Sequence, residues 1–192
     1  MKILMSALTK GVRTISGTLR WGWFLIRLGA NAPRRSVALA QGVRLVATDG
    51  GTLRIGAGTA IERHAVLVAK RRSIDIGANS FIGIGCVLVA RDSIRIGPDA
   101  LLGEYVTIRD QDHRPVSDPG NPDRGFDTAP ISIGRNVWLG AKVTVTRGVT
   151  IGDNVVVGAN SVVTRDLPAG CLAAGVPARV IRQSAARKTS AD

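Results

Sequence analysis

The chain has 192 residues, 45% of them hydrophobic but only 4% aromatic, with 23 glycines. Its core must therefore be built from Val, Ile, Leu and Ala, and no collagen-type triplet accounts for the glycine. A net charge of +12 favours a polyanionic partner: nucleic acid, a phosphorylated cofactor or an anionic membrane surface. Nucleic acid is the weakest of these, because no helix-turn-helix, zinc-finger or aromatic RNA-binding signature is present.

Residues 1–36 stand apart. They carry Lys2, Lys10, Arg13, Arg20, Arg27, Arg34 and Arg35 and no acid. Ile3, Leu4, Leu8, Val12, Ile15 and Leu19 recur at steps of three and four, which predicts a helical stripe. The apolar run Trp21-Gly22-Trp23-Phe24-Leu25-Ile26-Arg27-Leu28 is too short to span a bilayer, and no cleavage-site pattern follows it. Such a basic, Trp-bearing helix either packs on the body or a neighbouring subunit, or lies in a membrane interface.

From residue 37 to 183 the pattern changes. Ile55, Ile61 and Leu67 are spaced by six, as are Ile76, Ile82 and Leu88, then Ile96, Leu102 and Ile108. The series resumes with Ile133, Leu139, Val145, Ile151, Val157 and Val163. A small residue follows four later at Thr59, Ala65, Cys86, Val106, Val143, Val155 and Ser161. A period of six fits neither a helix nor a plain strand. It fits short strands joined by corners, three to a coil of about eighteen residues, with the coils stacked. The aliphatic residue points inward and the small one fills the corner. Gly77, Asn79, Gly152 and Asn154 are expected to supply corner residues that tolerate positive φ. The extra residues at 73–75, 93–95 and 130–132 are expected to mark where coils end. Cys86 and Cys171 lie far apart, fit no metal spacing and read as packing thiols of a reducing compartment. Parallel crossovers are normally right-handed, which taken alone favours a right-handed prism. The tail, 184–192, is expected to be disordered.

One interruption breaks the repeat. Residues 109–130 read RDQDHRPVSDPGNPDRGFDTAP and hold four of the eight prolines. His113 sits there between Asp112 and Arg114. A loop ejected from a regular scaffold with one imidazole is a place to look for proton transfer. Asp110 or Asp112 could fix its tautomer, or either could be a solvated loop acid. His64, at an outward turn position, reads as ordinary surface.

The hexads, the loop histidine, Asn136-Val137-Trp138-Leu139-Gly140, Gly148-Val149-Thr150-Ile151-Gly152-Asp153-Asn154, Ser161-Val162-Val163-Thr164-Arg165-Asp166 and Gly175-Val176-Pro177-Ala178-Arg179-Val180-Ile181 together resemble the hexapeptide-repeat acyltransferases. Within that family the likeness is to galactoside/maltose and exopolysaccharide O-acetyltransferases, over roughly 50–183. The resemblance implies an all-β, left-handed parallel β-helix, against the crossover rule, and a homotrimer with active sites between subunits. It implies acetyl-CoA as co-substrate, no metal, and His113 as general base. Trp138 matches a tryptophan lining the cofactor groove, with trimer packing as its other reading. Ala141 matches a backbone amide near the thioester. Ala159, Thr164 and Arg165 match positions along the pantetheine and its nucleotide end, and Arg179 and Arg182 match positions meeting the cofactor's phosphates. Lys142, Arg147, Arg165, Arg179 and Arg182 read as one basic series that would suit those phosphates.

The match also fails somewhere. By register from His113, the family's acceptor-binding Asn falls on Gly83 and its Asp on Arg91. The polar residues that would hold galactoside or maltose hydroxyls are missing, so the acceptor's identity does not transfer. The expected activity is O-acetylation of a saccharide hydroxyl, in the cytoplasm or at the inner face of a membrane, on a lipid-linked or otherwise anionic saccharide. An amino sugar or an antibiotic hydroxyl is the alternative acceptor. A zinc site as in γ-class carbonic anhydrases needs three histidines per metal, and this chain has two. A non-catalytic binding solenoid is the remaining alternative.

Overall fold

In a computed structural model, residues 3–6, 13–16, 36–114 and 125–183 are described. These residues form strands and turns without a helix. The chain winds as a parallel solenoid with three walls, each turn laying one strand on each. The first wall holds Thr52–Ile55, Ser73–Ile76, Ser93–Ile96, Ile131–Ile133 and Thr150–Ile151. The second runs from Ala38–Leu39 through Ala60–Ile61, Phe81–Ile82, Leu101–Leu102, Trp138–Leu139 and Val156–Val157 to Cys171–Gly175. The third holds Arg44–Thr48, Val66–Lys70, Val87–Ala90, Thr107–Arg109, Thr144–Val145 and Val162–Val163.

The register lines up the hexad aliphatics. Ile61, Ile82, Leu102, Leu139 and Val157 stack up the second wall. Leu45, Leu67, Leu88, Ile108, Val145 and Val163 stack up the third. All are buried, each contributing about 1.5–3 kcal/mol of transfer free energy for Leu or Ile. The small residues Thr59, Ala65, Cys86, Val106, Val143, Val155 and Ser161 are wholly buried at the corners. Their polar atoms turn back on the backbone: Thr59 Oγ1 donates to Gly77 O at 3.0 Å and Ser161 Oγ to Gly158 O at 2.6 Å. Cys86 and Cys171 are free, buried thiols, as their place in the repeat predicts.

The corner residues divide in a way the sequence reading did not anticipate. Asn79 (φ 56) and Asn154 (φ 57) do adopt the left-handed region. Gly77 and Gly152 do not; they are glycine because the next coil passes too close. A Cβ on Gly77 would come within 2.3 Å of Pro98 N, and one on Gly152 within 2.5 Å of Ala169 N. The extra residues near 73 and 93 fall where the third wall passes to the first, at the junction of successive coils. They lengthen the third and first walls: Arg44 registers with Val66, Val66 with Val87 and Val87 with Thr107, whereas Thr144 registers with Val162. Apart from the 37 residues between Thr107 and Thr144, which include the 109–130 interruption, the turns therefore shorten from 22, 21 and 20 residues to 18 along the axis.

Within the N-terminal segment, the helical expectation gives way at two places. Ile3–Ser6 pairs antiparallel with Thr52–Ile55, and Arg13–Ser16 pairs antiparallel with Arg44–Thr48. Four residues fit a period of two as readily as 3.6, and the first coil offers an edge of unpaired backbone groups to cover. The rest of 1–36, including the tryptophan run, and the tail 184–192 lie outside the described residues. At the other end the chain reverses through Gly175-Val176-Pro177, with a cis Val176–Pro177 bond. Ala178–Gln183 then pairs antiparallel with Cys171–Gly175.

Candidate functional site

The third wall meets the first at one edge of the prism. Most turns cross it in two to four residues, as at Arg71-Arg72, Arg91-Asp92 and residues 146–149. One turn instead leaves after Thr107–Arg109 and returns at Ile131–Ile133. The base of this excursion is a hairpin, Gln111–His113 against Phe126–Thr128, with His113 opposite Phe126. Residues 115–124 at its tip lie outside the described part.

Two acids fasten the hairpin to the prism. Asp110 is wholly buried. Its carboxylate accepts the Arg91 N–H at 2.9 and 3.1 Å and the Asp92 N–H at 2.7 Å. Burial pushes its carboxyl above the usual range, and these amide bonds oppose the shift. Asp112 takes Arg147 Nε at 2.7 Å, tying the hairpin to the following coil. Both candidates for orienting His113 are thus committed elsewhere. Among the described residues, the His113 ring meets Phe126, centroids 4.1 Å apart and planes tilted by 43°. The Arg91 guanidinium lies over the same phenyl ring, 3.6 Å from its centroid. Arg114 Nε binds Asp127 at 2.8 Å across the hairpin.

Most of the other predicted site residues sit away from this edge. Trp138 is on the outer face of the second wall, 52% exposed, stacked on Leu101 (44%) and Phe81 (40%). Ala141 and Ala159 occupy equivalent places one coil apart at the corner between the second and third walls. Gly103 and Gly140 make room for them: a Cβ on Gly103 would come within 2.7 Å of Ala141 N, and one on Gly140 within 2.6 Å of Ala159 N. Arg179 and Arg182 are three apart, which in a regular strand puts them on opposite faces. A register shift between Leu172 and Ala173 corrects this, so Arg179 pairs with Ala174 and Arg182 with Leu172. Leu172 and Ala174 share a face, since Cys171 and Ala173 are the buried pair. Both arginines therefore point outward, Arg182 in the column of Trp138, Val156 and Leu172. Thr164 and Arg165, both exposed, follow Val162–Val163 and belong to the edge that bears His113.

The candidate residues thus fall into two groups. His113, Thr164 and Arg165 share one edge; Ala141 and Ala159, with Trp138, Arg179 and Arg182 beside them, share another. Four residues, 142–145, separate Ala141 from Thr146, a span of roughly 16 Å at 3.3 Å per residue. The basic series expected as one face is divided likewise: Arg147 and Arg165 on the hairpin edge, Lys142, Arg179 and Arg182 on the other, with Arg147 already paired. Coils stack only along the axis, so nothing in one chain draws these edges together. Sequence reasoning did not show that Phe126 would meet the imidazole or that the Arg91 guanidinium would cover Phe126. These contacts depend on the hairpin folding back over the preceding coil, and no local pattern announces that.

Comparison with known proteins places this geometry in a family. The model described as the hexapeptide repeat of succinyl-transferase matches residues 73–107 and 130–165. The galactoside O-acetyltransferase of Escherichia coli (strain K12) is 41% identical over 111 residues, which cover 58% of this chain and 54% of that protein. The chain spans about half the length of the curated relatives it matches. A maltose O-acetyltransferase from Clostridium difficile 630 superposes with a TM-score of 0.56 at 30% identity, covering 77% of this chain and 66% of that one. A hexapeptide-repeat-containing acetyltransferase from Vibrio cholerae O1 biovar eltor, solved with acetyl coenzyme A, superposes with a TM-score of 0.53 at 34% identity, over 57% of this chain and 60% of that one. Stacked hexads and buried ladders agree with the matched repeat, and the chain belongs to the hexapeptide-repeat acyltransferase family.

Proposed function

We propose that this chain is an acetyl-CoA-dependent O-acetyltransferase acting on a saccharide hydroxyl, with His113 as general base and each site completed between two subunits of a homotrimer. One observation carries the reading: the residues that serve the reaction lie on two different edges of the same prism. A second copy that sets its cofactor edge against the hairpin edge of the first brings them together, and cyclic symmetry repeats the contact around a ring. The exposed stripe of Phe81, Leu101 and Trp138 gives such a contact apolar area to bury.

The residues fit the co-substrate. Coenzyme A is long, narrow and anionic at one end. Alanines 141 and 159 leave the corner open, exposed Trp138 offers a flat apolar surface, and Arg179 and Arg182 present cations on one face for phosphates. The co-substrate supplies an activated acyl thioester. The chain supplies the rest. His113 takes the proton from the acceptor hydroxyl as it attacks, and returns one to the departing thiol. The Ala141 N–H donates to the oxygen on which charge develops. The hairpin, pinned by Asp110 and by Asp112 to Arg147, holds the imidazole in place and so reduces the entropic cost of alignment. The galactoside and maltose substrates in the relatives' names support a saccharide acceptor.

The test is acceptor-dependent thiol release from acetyl-CoA over a panel of saccharides. His113→Ala should abolish release, by at least about a hundredfold for a lost general base, while the oligomer measured by light scattering stays intact. Unchanged turnover in that variant refutes the assignment.

A further inference from the structure

Next to Phe126, whose ring meets His113, lies a hollow of about 370 Å³ lined by Arg71, Arg91, Gly125, Phe126 and Thr128, within the size range of small-ligand pockets, roughly 300–1,000 Å³. Two of its five lining residues are arginines, and their charges are not used up locally. The acids flanking the hairpin are each engaged by another group. Asp92 faces Arg72 at 3.6 Å, Asp110 takes the two backbone amides, Asp112 takes Arg147 and Asp127 takes Arg114. Neither Arg71 nor Arg91 forms an ion pair among the described residues. Arg91 Nε is buried and has no hydrogen-bond partner. A buried guanidinium nitrogen left without an acceptor is costly and therefore informative.

Arg91 is also held in place. Its backbone is fixed by Asp110, its guanidinium lies over Phe126, and Phe126 in turn touches His113. One phenyl ring thus spaces a pre-positioned cation from the imidazole.

We propose that the hollow seats an anionic substituent, a carboxylate or a phosphate ester, on the acceptor whose hydroxyl faces His113. Arg71 and Arg91 are its ligands, and Thr128 lines the seat. This rests on the acyl-transfer reading for the word acceptor, but the anion seat itself does not. A planar guanidinium suits the paired oxygens of either anion. A neutral hexopyranoside would leave both cations without a counter-charge.

The experiment compares three probes on the full chain: methyl galactopyranoside, methyl galactopyranosiduronate and galactose 6-phosphate. Binding is read by calorimetry and thiol release from acetyl-CoA is read in parallel. At least one anionic probe should bind about tenfold or more tighter than the neutral one, the scale of one charge-assisted hydrogen bond. The preference should fall as salt is raised. The carboxylate and phosphate arms identify which anion the seat prefers. Arg91→Gln and Arg71→Gln should each reduce the preference and the double variant should remove it, with acetyl-CoA binding retained as the control for folding. Equal binding of all three probes overturns the proposal, as does a preference that survives the double variant. Anion preference without turnover on any probe supports the seat and counts against acyl transfer. Turnover without anion preference does the reverse.

Discussion

Mixing two inactive variants gives the sharpest test of where the site is assembled. His113→Ala removes the base from the hairpin edge and leaves the cofactor edge untouched. Ala159→Trp blocks the corner between the second and third walls at an exposed position and leaves the hairpin untouched. If each site takes its hairpin from one chain and its corner from the next, a mixed ring contains some sites with both parts intact. In trimers formed at random from equal amounts, each part is intact half the time, so about one quarter of wild-type activity should return. If all the residues acted within one chain, every chain would carry a defect and nothing would return. The variants are mixed, dissociated and reassembled, with distinct tags on each to verify mixed trimers, and thiol release is measured. Activity that stays at the level of the separate variants, in preparations shown to contain mixed trimers, refutes the two-edge argument.

Other outcomes follow from single residues. Asp110→Ala leaves two amides without their acceptor and should cost about 2–6 kcal/mol by urea unfolding, at about 1–3 kcal/mol per unsatisfied group. Because burial raises the Asp110 carboxyl above its ordinary 3.8, the folded chain keeps that proton to higher pH than the unfolded chain. The stability of the wild type relative to Asp110→Asn should therefore be greatest below 3.8 and decline as pH rises through the elevated value; a difference that grows with pH would contradict this. Burial lifts the Cys86 thiol to about 11, and Cys171 is also buried. Neither should react with a disulfide reagent at about pH 8 until the chain is unfolded, and a rapid native reaction of either would show the corner to be open. Gly77→Ala drives a methyl against the Pro98 backbone and should cost about 3 kcal/mol or more. Asn79→Gly two residues away, at φ 56, should stay within about 1 kcal/mol; equal costs would mean that φ, rather than coil spacing, sets both positions.

How much could be read without the fold depended on how local each cause is. Ile82, Leu102 and Leu139 declare themselves by spacing, because a prism with one residue facing inward per wall repeats its burial every six positions. The loop at 109–130 declares itself by breaking that rhythm. The helical reading at residues 3–6 and 13–16 failed because four residues cannot distinguish two periods, and an exposed coil edge decided the matter.

The amino-acid order thus determined the stacked coils, their buried ladders and the loop bearing His113, since burial recurs with the chain's own short period. Only the tertiary structure decided that Asp110 binds amides 18 and 19 residues back, that a bulge turns Arg179 and Arg182 to one side, and that Arg91 reaches His113 through Phe126. Each of those depends on which residues the coil spacing brings face to face, and that spacing sums the lengths of whole turns, which fall from 22 to 16 residues and reach 37 where the hairpin leaves the prism. No single stretch of sequence contains that sum.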